Sequence, residues 1–139
     1  MLFHQETFFQ FLHELNLEKG FKSEVRIFNE SLENREMHSL KLIYFKMRAL
    51  AEAPQMLMKF ADLNYEYLMS WDYFDDDWEM VKPTIPFQQL PILVVDDEHQ
   101  IAQSTSIMRF LQRLAGMEPQ DPVVAAKADA ILELSLIHI

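Results

Sequence analysis

The chain has 139 residues, half of them hydrophobic and 12% aromatic, which excludes a disordered composition and is enough for one domain with a core. Its formal net charge of −10 argues against a nucleic-acid partner, because affinity for phosphates depends on clustered Lys and Arg. The absence of cysteine excludes disulfides, cysteine-ligated metals and dithiol redox chemistry on this chain.

Neither membrane insertion nor targeting is indicated. No apolar run approaches the ~20 residues that a membrane-spanning helix needs. The N-terminus, MLFHQETFFQFLHEL, has no basic region ahead of its apolar residues and fits neither a secretory nor a transit peptide. The five histidines are scattered, and no pair has metal-ligand spacing with a carboxylate. We therefore expect a soluble cytoplasmic protein that binds no metal, no nucleic acid and no membrane.

Residues 1–36 are expected to form an N-terminal extension that is helical or disordered. Its first part has the spacing of an amphipathic helix, and Gly20 is a suitable end for that helix. The patterning improves from Met37 onward. The apolar residues with helical spacing are Phe8, Phe11, Leu12 and Leu15.

A strand, a helix and a second strand are predicted next. Residues 41–45 (KLIYF) are apolar and rich in strand formers. Helical spacing over 49–63 predicts a helix, with Pro54 in about its first turn, where a missing N–H is tolerated. Residues 65–71 (YEYLMSW) alternate as a strand does.

The second half of the chain is predicted to hold a short helix, a β-hairpin and two longer helices. An aspartate is a candidate cap for the short helix, and Pro83 is expected to end it. Hydroxyl residues begin the first longer helix and Gly116 ends it. The segments are the short helix within 74–84, strands at 91–97 and 99–103, and helices at 104–116 and 121–133.

This order of elements predicts the fold class. A βαβ unit followed by a short helix and a ββα unit makes a small mixed sheet with helices on its faces. The prediction is therefore an α/β protein with the thioredoxin-like arrangement βαβ-α-ββα.

Three features lie where such a sheet would bind a ligand. Tyr44 closes the first strand, and ligands gather beyond strand carboxyl ends, although a packed strand tyrosine is the alternative. Leu90-Pro91 precedes the most apolar strand, where a cis bond would turn the Leu90 backbone outward; a trans proline opening the strand is the alternative. Gln103-Ser104 opens the clearest helix, where free N–H groups favour an anion, although ordinary capping explains the serine equally well.

Two further features lie between the strands. Trp78 and Lys82 are four residues apart and so share one helix face, which could meet a small carboxylate, although a solvated lysine beside a packing tryptophan is more common. The acidic run at 72–77 and the turn Asp96-Asp97-Glu98 are interpreted as solvated segments rather than as paired catalytic carboxylates.

In combination, these segments resemble the N-terminal domain of cytosolic glutathione transferases over residues 37–133. The sigma-like class, which includes glutathione-dependent prostaglandin D synthases, is the most similar. KLIYFKMRALAEA looks like that family's first strand, catalytic tyrosine and following helix start. WEMVKPTIPFQQLPILVVDD looks like its Trp, Lys and proline-containing segment, and IAQSTSIMRFL looks like its Gln-Ser helix.

The resemblance implies a glutathione-binding domain at 37–116 and glutathione as co-substrate. Tyr44 falls on the tyrosine that activates the glutathione thiol for attack on a small electrophile, or for glutathione-dependent isomerisation. Trp78 and Lys82 fall on the residues that meet the glycyl carboxylate.

The same resemblance implies the rest of the glutathione cradle. Gln89 falls on a flanking polar contact. Leu90 falls on the residue whose backbone pairs with the cysteinyl moiety, ahead of the cis proline matched by Pro91. Gln103 and Ser104 fall on the pair that holds the γ-glutamyl end.

Three departures from the family qualify this expectation. Leu50 stands where sigma-like members often carry an Arg near the tyrosine. Residues 1–36 match nothing in the family, and 117–139 resemble only a linker and the first helix of its all-helical second domain. The chain is thus expected to be a fragment with weak or no activity alone, from a protein that forms homodimers. The alternative function is a non-catalytic binding or scaffold module.

Overall fold

The computed structural model describes residues 37–137, so the predicted N-terminal helix lies outside the described residues. The described elements follow the predicted order, except that a second short helix, Ser70–Phe74, follows the second strand. Two 3-10 turns, Lys82–Thr84 and Pro86–Gln88, lead into the third strand. The strands are β1 (Leu40–Tyr44), β2 (Glu66–Met69), β3 (Ile92–Val95) and β4 (His99–Ala102). The helices are α1 (Ala49–Phe60), α2 (Ser70–Phe74), α3 (Trp78–Val81), α4 (Ser104–Leu114) and α5 (Pro122–Ile137).

The four strands form one mixed sheet in the order β2-β1-β3-β4. β1 pairs in parallel with β2, and the crossover between them contains α1, as a parallel connection requires. β3 runs antiparallel to β1 and forms a hairpin with β4. The predicted thioredoxin-like α/β arrangement is therefore confirmed.

The core is built on the two central strands. Ile43 of β1 and Ile92 of β3 are 0% exposed, as is Leu111 of α4, which packs against α1. Burying one such aliphatic side chain stabilises the fold by about 1.5–3 kcal/mol. None of the helices within residues 37–137 is both long and apolar enough to cross a bilayer.

Helix α1 corrects one prediction. It begins at Ala49, so Pro54 lies in its second turn rather than its first. Proline has no N–H to donate to the carbonyl of Leu50, one turn earlier. The side chain of Pro54 is buried, and the helix continues past it to Phe60.

The segment after β2 also differs from prediction. The strand predicted over 65–71 ends at Met69, which is the last residue paired with β1, and Ser70 already begins α2. Asp77 occupies the N-cap position of α3, but its side chain makes no capping hydrogen bond. Pro83 lies in the 3-10 turn that follows α3 instead of ending a longer helix.

The turn between β3 and β4 is not simply solvated, contrary to the interpretation from sequence. Asp96 and Asp97 both have positive φ, of 54° and 57°, and the Glu98 N–H donates to the Val95 carbonyl at 3.1 Å, which closes a β-turn around them. Asp96 accepts a hydrogen bond from the Ser39 N–H at 2.9 Å, and its Oδ2 lies 2.6 Å from His38 Nδ1. Asp97 pairs with Lys41. We call these five residues the hairpin latch, because they join the turn to the start of β1.

The end of α4 and the start of α5 carry residues that commonly end and begin helices. Gly116, just after α4, has φ of 68°, the left-handed conformation typical of a residue that follows a helix. The Asp121 carboxylate accepts the N–H groups of Val123 and Val124 at 2.9 Å and so caps α5. Arg109 of α4 forms a hydrogen bond with Asp129 of α5.

Candidate ligand site at one edge of the sheet

Most of the predicted site residues lie together at one edge of the sheet, the edge at which β1 ends. Tyr44 ends β1 opposite Met69, and the neighbouring pair of Ile43 with Ile92 sets the start of β3 beside it. Ile92 also pairs with Ala102 at the end of β4. The segments just beyond these pairs therefore meet at this edge. They are Tyr44, Leu90-Pro91 and Gln103-Ser104.

Tyr44 combines a packed ring with an unpartnered hydroxyl. The residue is 5% exposed and belongs to the hydrophobic core, so the packed-tyrosine interpretation describes its ring correctly. Among the described residues, no hydrogen bond reaches its hydroxyl. Buried tyrosine hydroxyls usually have a partner within the protein. This hydroxyl is therefore able to donate to a bound group.

The loop after Tyr44 is held by Tyr67, a residue that the sequence patterns do not single out. The Tyr67 hydroxyl lies 3.1 Å from the carbonyl oxygen of Phe45 and 3.3 Å from that of Met47. Burial raises the pKa of Tyr67, and the nearby Tyr44 and Glu52 raise it further. Tyr67 therefore remains a protonated donor. The only sequence signal was a tyrosine in a strand that alternates polar and apolar residues.

Trp78 is connected to Tyr44 through aromatic contacts. The Phe45 ring lies 5.5 Å from that of Tyr44 and 5.1 Å from that of Trp78, the latter edge-on. Lys82 donates its backbone N–H to the Trp78 carbonyl, which confirms that both residues share one helical face. The Lys82 ammonium forms no ion pair within residues 37–137. Within residues 37–137, no side-chain hydrogen bond or ion pair joins Lys82 to the other predicted site residues.

The Leu90-Pro91 peptide bond is cis, the isomer that the sequence left as one of two alternatives. Both side chains are buried. Leu90 precedes β3, and none of the turn, loop or cap hydrogen bonds among the described residues uses its backbone. Its N–H and C=O are thus open to a further partner.

Gln103 is the N-cap residue of α4, and neither it nor the serine after it caps the helix with a side chain. Its Nε2 instead donates to Oε1 of Gln89 at 3.0 Å. Its φ of 70° and ψ of 121° are unusual for a residue with a Cβ. Such strain costs about 1–3 kcal/mol and is concentrated at functional sites. Ordinary capping therefore does not account for this segment.

The chemistry of the edge is that of hydrogen bonding to a small, extended ligand. It offers the Tyr44 hydroxyl, the Leu90 backbone, the Gln103 amide and the first N–H groups of α4, an eleven-residue helix. No group of three or more His, Asp or Glu within residues 37–137 is arranged to hold a metal ion.

Comparison with protein families identifies the domain that carries this edge. The family described as glutathione S-transferase, N-terminal domain, matches residues 40–113. Hematopoietic prostaglandin D synthase of Gallus gallus is 42% identical over 97 residues, which are 70% of this chain and 47% of that protein. Glutathione S-transferase 4 of Caenorhabditis elegans is 42% identical over 98 residues, 70% of this chain and 45% of that protein. The chain thus spans about half the length of these relatives.

Solved structures agree with the sequence relatives. A nu-class glutathione S-transferase from Haemonchus contortus superposes with a TM-score of 0.60 at 33% identity, over 70% of this chain and 46% of that one. The enzyme from Ascaris lumbricoides gives a TM-score of 0.60 at 35% identity, over 68% and 44%.

Proposed function

The chain belongs to the glutathione S-transferase family, and we propose that its residues 37–116 bind glutathione and activate the glutathione thiol. The observation that supports this most strongly is the hydroxyl of the buried residue Tyr44, which has no partner among the described residues and lies at the sheet edge that Leu90 and Gln103 also reach. The activity, substrates and partners of the whole protein are part of the same proposal.

Tyr44 acts in this proposal as a hydrogen-bond donor and not as a base. Tyrosines ordinarily titrate near pH ~10 and thiols near ~8.5, so a tyrosinate is rarely present at neutral pH. A hydroxyl that donates to sulfur stabilises the thiolate instead. Lowering a thiol pKa by ~2 units takes about 2.7 kcal/mol. One hydrogen bond to a charged group contributes roughly 1.5–3 kcal/mol, so one hydroxyl supplies most of this.

The two ends of glutathione would be held by different segments. Trp78 and Lys82 share a face, and the Lys82 ammonium, which forms no ion pair within residues 37–137, would meet the glycyl carboxylate. The Leu90 backbone would pair with the cysteinyl moiety as a short strand does, next to the buried Pro91. This pairing would align the thiol with Tyr44.

The γ-glutamyl end would lie at the start of α4. The N–H groups and the Ser104 hydroxyl there are donors for its carboxylate. Gln103 gives one amide hydrogen to Gln89 and keeps its Oε1 as an acceptor for the ammonium group. The bond between the two glutamines would fix that orientation before glutathione binds.

In the reaction, the thiolate sulfur would form a bond to an electrophilic carbon of a small substrate. The electron pair then moves onto the substrate or leaves with a departing group, and the thiol proton goes to solvent. In the isomerising variant, the sulfur–substrate bond breaks again and glutathione is released unchanged. The protein would act in the cytoplasm, and as a homodimer in its full-length form.

Retention on glutathione-agarose and a pH titration of thiolate absorbance test this proposal. We expect the chain to be retained, and bound glutathione to form thiolate about two pH units below free thiols. Tyr44→Phe should move that midpoint back toward ~8.5. Tyr73→Phe is the matched control, because it removes a tyrosine hydroxyl from α2. A folded chain that is not retained, or a Tyr44→Phe midpoint equal to the unsubstituted one, would sink the proposal.

A non-catalytic binding or scaffold module is the second candidate. Leu50 favours it, because this half-buried side chain packs against the core where the resemblance expects an arginine beside Tyr44. The same titration separates the two functions. Glutathione binding without thiolate formation at neutral pH would support the module and contradict the enzyme.

A further inference from the structure

The loop that joins β1 to α1, residues 45–48, leads into a strained backbone. Ala49, the first residue of α1, has φ of 30°, which is unfavourable for a residue with a Cβ. Arg48, at the N-cap position of α1, makes no side-chain capping hydrogen bond. A strained backbone persists only where the surrounding structure fixes it. The loop therefore requires support from another part of the fold.

Tyr67 provides such support from β2. Its hydroxyl lies 3.1 Å from the carbonyl oxygen of Phe45 and 3.3 Å from that of Met47. The Phe45 oxygen also accepts the Met47 N–H at 2.7 Å, so both of its acceptor positions are used. A tyrosine hydroxyl has one proton to donate, and this proton is shared between two carbonyls of the same loop. One hydroxyl thus fastens two points of the loop to the sheet.

Tyr67 and Tyr44 lie on the same face of the sheet. Tyr67 pairs with Leu42, and Tyr44 pairs with Met69. Side chains two residues apart along a strand share a face, so the two tyrosines are diagonal neighbours across β1 and β2. Burial, together with the nearby Tyr44 and Glu52, raises the pKa of Tyr67, so its hydroxyl keeps the proton that it donates.

The direction of the Tyr44 hydroxyl depends on the same loop. No hydrogen bond among the described residues holds this hydroxyl, so its direction follows from the backbone and the rings around it. The ring of Phe45 lies 5.5 Å from that of Tyr44, and the carbonyl of Phe45 is the one that Tyr67 contacts at 3.1 Å. A shift of the Phe45 backbone would therefore move the ring against which Tyr44 packs.

We propose that Tyr67 is a positioning residue for Tyr44: by fixing the carbonyls of Phe45 and Met47, it sets the direction of the Tyr44 hydroxyl. This role rests on the proposed function, because the group that Tyr44 would meet is the glutathione thiol. Tyr67 itself contacts neither the thiol nor the electrophile. It restricts Tyr44 before glutathione binds, and a donor that is already oriented stabilises a developing charge better than a mobile one.

The thiolate absorbance of glutathione bound to the full chain, followed as a function of pH, measures this effect. Tyr67→Phe should raise the thiolate midpoint by about 0.5–1 pH unit, as the loss of one ordinary hydrogen bond does, and so by less than Tyr44→Phe. Tyr65→Phe is the matched control, because the Tyr65 hydroxyl lies 3.4 Å from the Gln55 side chain instead of contacting the loop. It should leave the midpoint unchanged.

The double variant, with Tyr44→Phe and Tyr67→Phe together, separates positioning from a direct effect on the thiol. If Tyr67 acts through Tyr44, removing the Tyr67 hydroxyl should add no further shift once the Tyr44 hydroxyl is gone. Additive shifts in the double variant would overturn the proposal, and so would an unchanged midpoint in Tyr67→Phe.

NMR of the glutathione-free chain, with its tyrosines ¹³C-labelled at Cζ, tests the positioning independently of glutathione. The signal of Tyr44 is assigned by its loss in Tyr44→Phe. Tyr67→Phe should shift or broaden this signal, and Tyr65→Phe should not. A Tyr44 signal that does not respond to Tyr67→Phe would overturn the proposal. A chain that forms no thiolate, while its Tyr44 signal responds to Tyr67→Phe, would contradict the proposed function and support the positioning role of Tyr67.

Discussion

The two ends of the central sheet use polar residues in opposite ways. At the hairpin latch, Asp96 accepts hydrogen bonds from the Ser39 N–H and from His38, and Lys41 pairs with Asp97. At the other end, the Tyr44 hydroxyl has no partner among the described residues. The strands that join these ends are the same, so the difference lies in the residues placed just beyond them.

The difference indicates that the hairpin latch serves stability and that the Tyr44 end serves ligand binding. Polar groups that satisfy one another hold the sheet together and leave nothing for a ligand. Strained or unpartnered groups reduce stability and persist where they serve binding. Gln103, with its φ of 70°, belongs to the second kind. Substitutions at the two ends test whether stability and ligand binding can be altered separately.

The largest effect is expected from Ile43→Ala, because Ile43 belongs to β1 and is 0% exposed. Removing its buried carbons should lower the free energy of unfolding by about 2–5 kcal/mol, measured by urea denaturation. Both ends should weaken together, since β1 supports both. Met56→Ala, at an exposed methionine, should cost far less; a similar loss in the two variants would contradict the assignment of the core.

Gln103→Gly should separate binding from stability. Glycine adopts positive φ without strain, so the free energy of unfolding should rise by about 1 kcal/mol. Glutathione affinity should fall about ten- to hundredfold, because the loss of a hydrogen bond to a charged group costs about 1.5–3 kcal/mol. Both quantities are measurable by calorimetry.

Gln100→Gly provides the control for this prediction. Gln100 is an exposed residue of β4. Glycine there should lower stability by about 0.5–1 kcal/mol and leave glutathione affinity unchanged. If Gln103→Gly destabilised the fold as Gln100→Gly does, the backbone strain assigned to Gln103 would be wrong.

Tyr67→Phe removes the hydroxyl that contacts the carbonyl oxygens of Phe45 and Met47. We expect a loss of about 1 kcal/mol, as for a typical hydrogen bond, and faster amide exchange in the loop after Tyr44. Exchange at the hairpin latch should not change. Tyr65→Phe, whose hydroxyl lies 3.4 Å from the Gln55 side chain, is the control that should spare the loop. Uniformly faster exchange in Tyr67→Phe would argue against a local role.

The smallest effect is expected at the hairpin latch, because its carboxylates are partly exposed. The hydrogen bonds from His38 and from the Ser39 N–H hold the pKa of Asp96 below its usual range. A lowered pKa contributes stability above the unfolded value of ~3.9, and this contribution is lost as pH falls through the folded value.

Asp96→Asn should therefore lower the melting temperature slightly at neutral pH, and the difference from the unsubstituted chain should shrink below pH ~3.9. Glutathione affinity should remain unchanged. Asp62→Asn, at another exposed aspartate, is the control. A difference that grows as the pH falls would contradict the role assigned to Asp96.

The sequence predicts the helices and strands of the fold well, because the local spacing of apolar residues indicates most of them. KLIYF and PILVV have strand composition, and STSIMRFLQRL has a helical apolar face. The end of β2 is different: it lies at Met69 because the pairing with Tyr44 ends there, and no local pattern records that partner. Likewise, the role of Asp96 depends on His38, which is 58 residues away.

The residues of the candidate site also form two groups: those that local patterns indicate and those whose contacts arise only from packing. Tyr44, Leu90-Pro91 and Gln103 are candidates from the sequence because each stands at the end of an element with a clear pattern. Pattern alone left a structural alternative open for each, and the resemblance to the glutathione transferase family joined them into one predicted site. The contact of Gln89 with Gln103 and the two carbonyl contacts of Tyr67 arise only when distant segments pack together. Propensity and spacing do not specify such contacts.

We propose that one end of the sheet binds glutathione and that the other end only holds the fold. Amide chemical shifts measured by NMR during a titration with glutathione test this directly. We expect the amide shifts to change at Phe45, Leu90 and from Gln103 to Ile107, and to stay unchanged from His38 to Lys41 and at Asp96-Asp97. Changes confined to the hairpin latch, or no saturable change at the Tyr44 end, would contradict it.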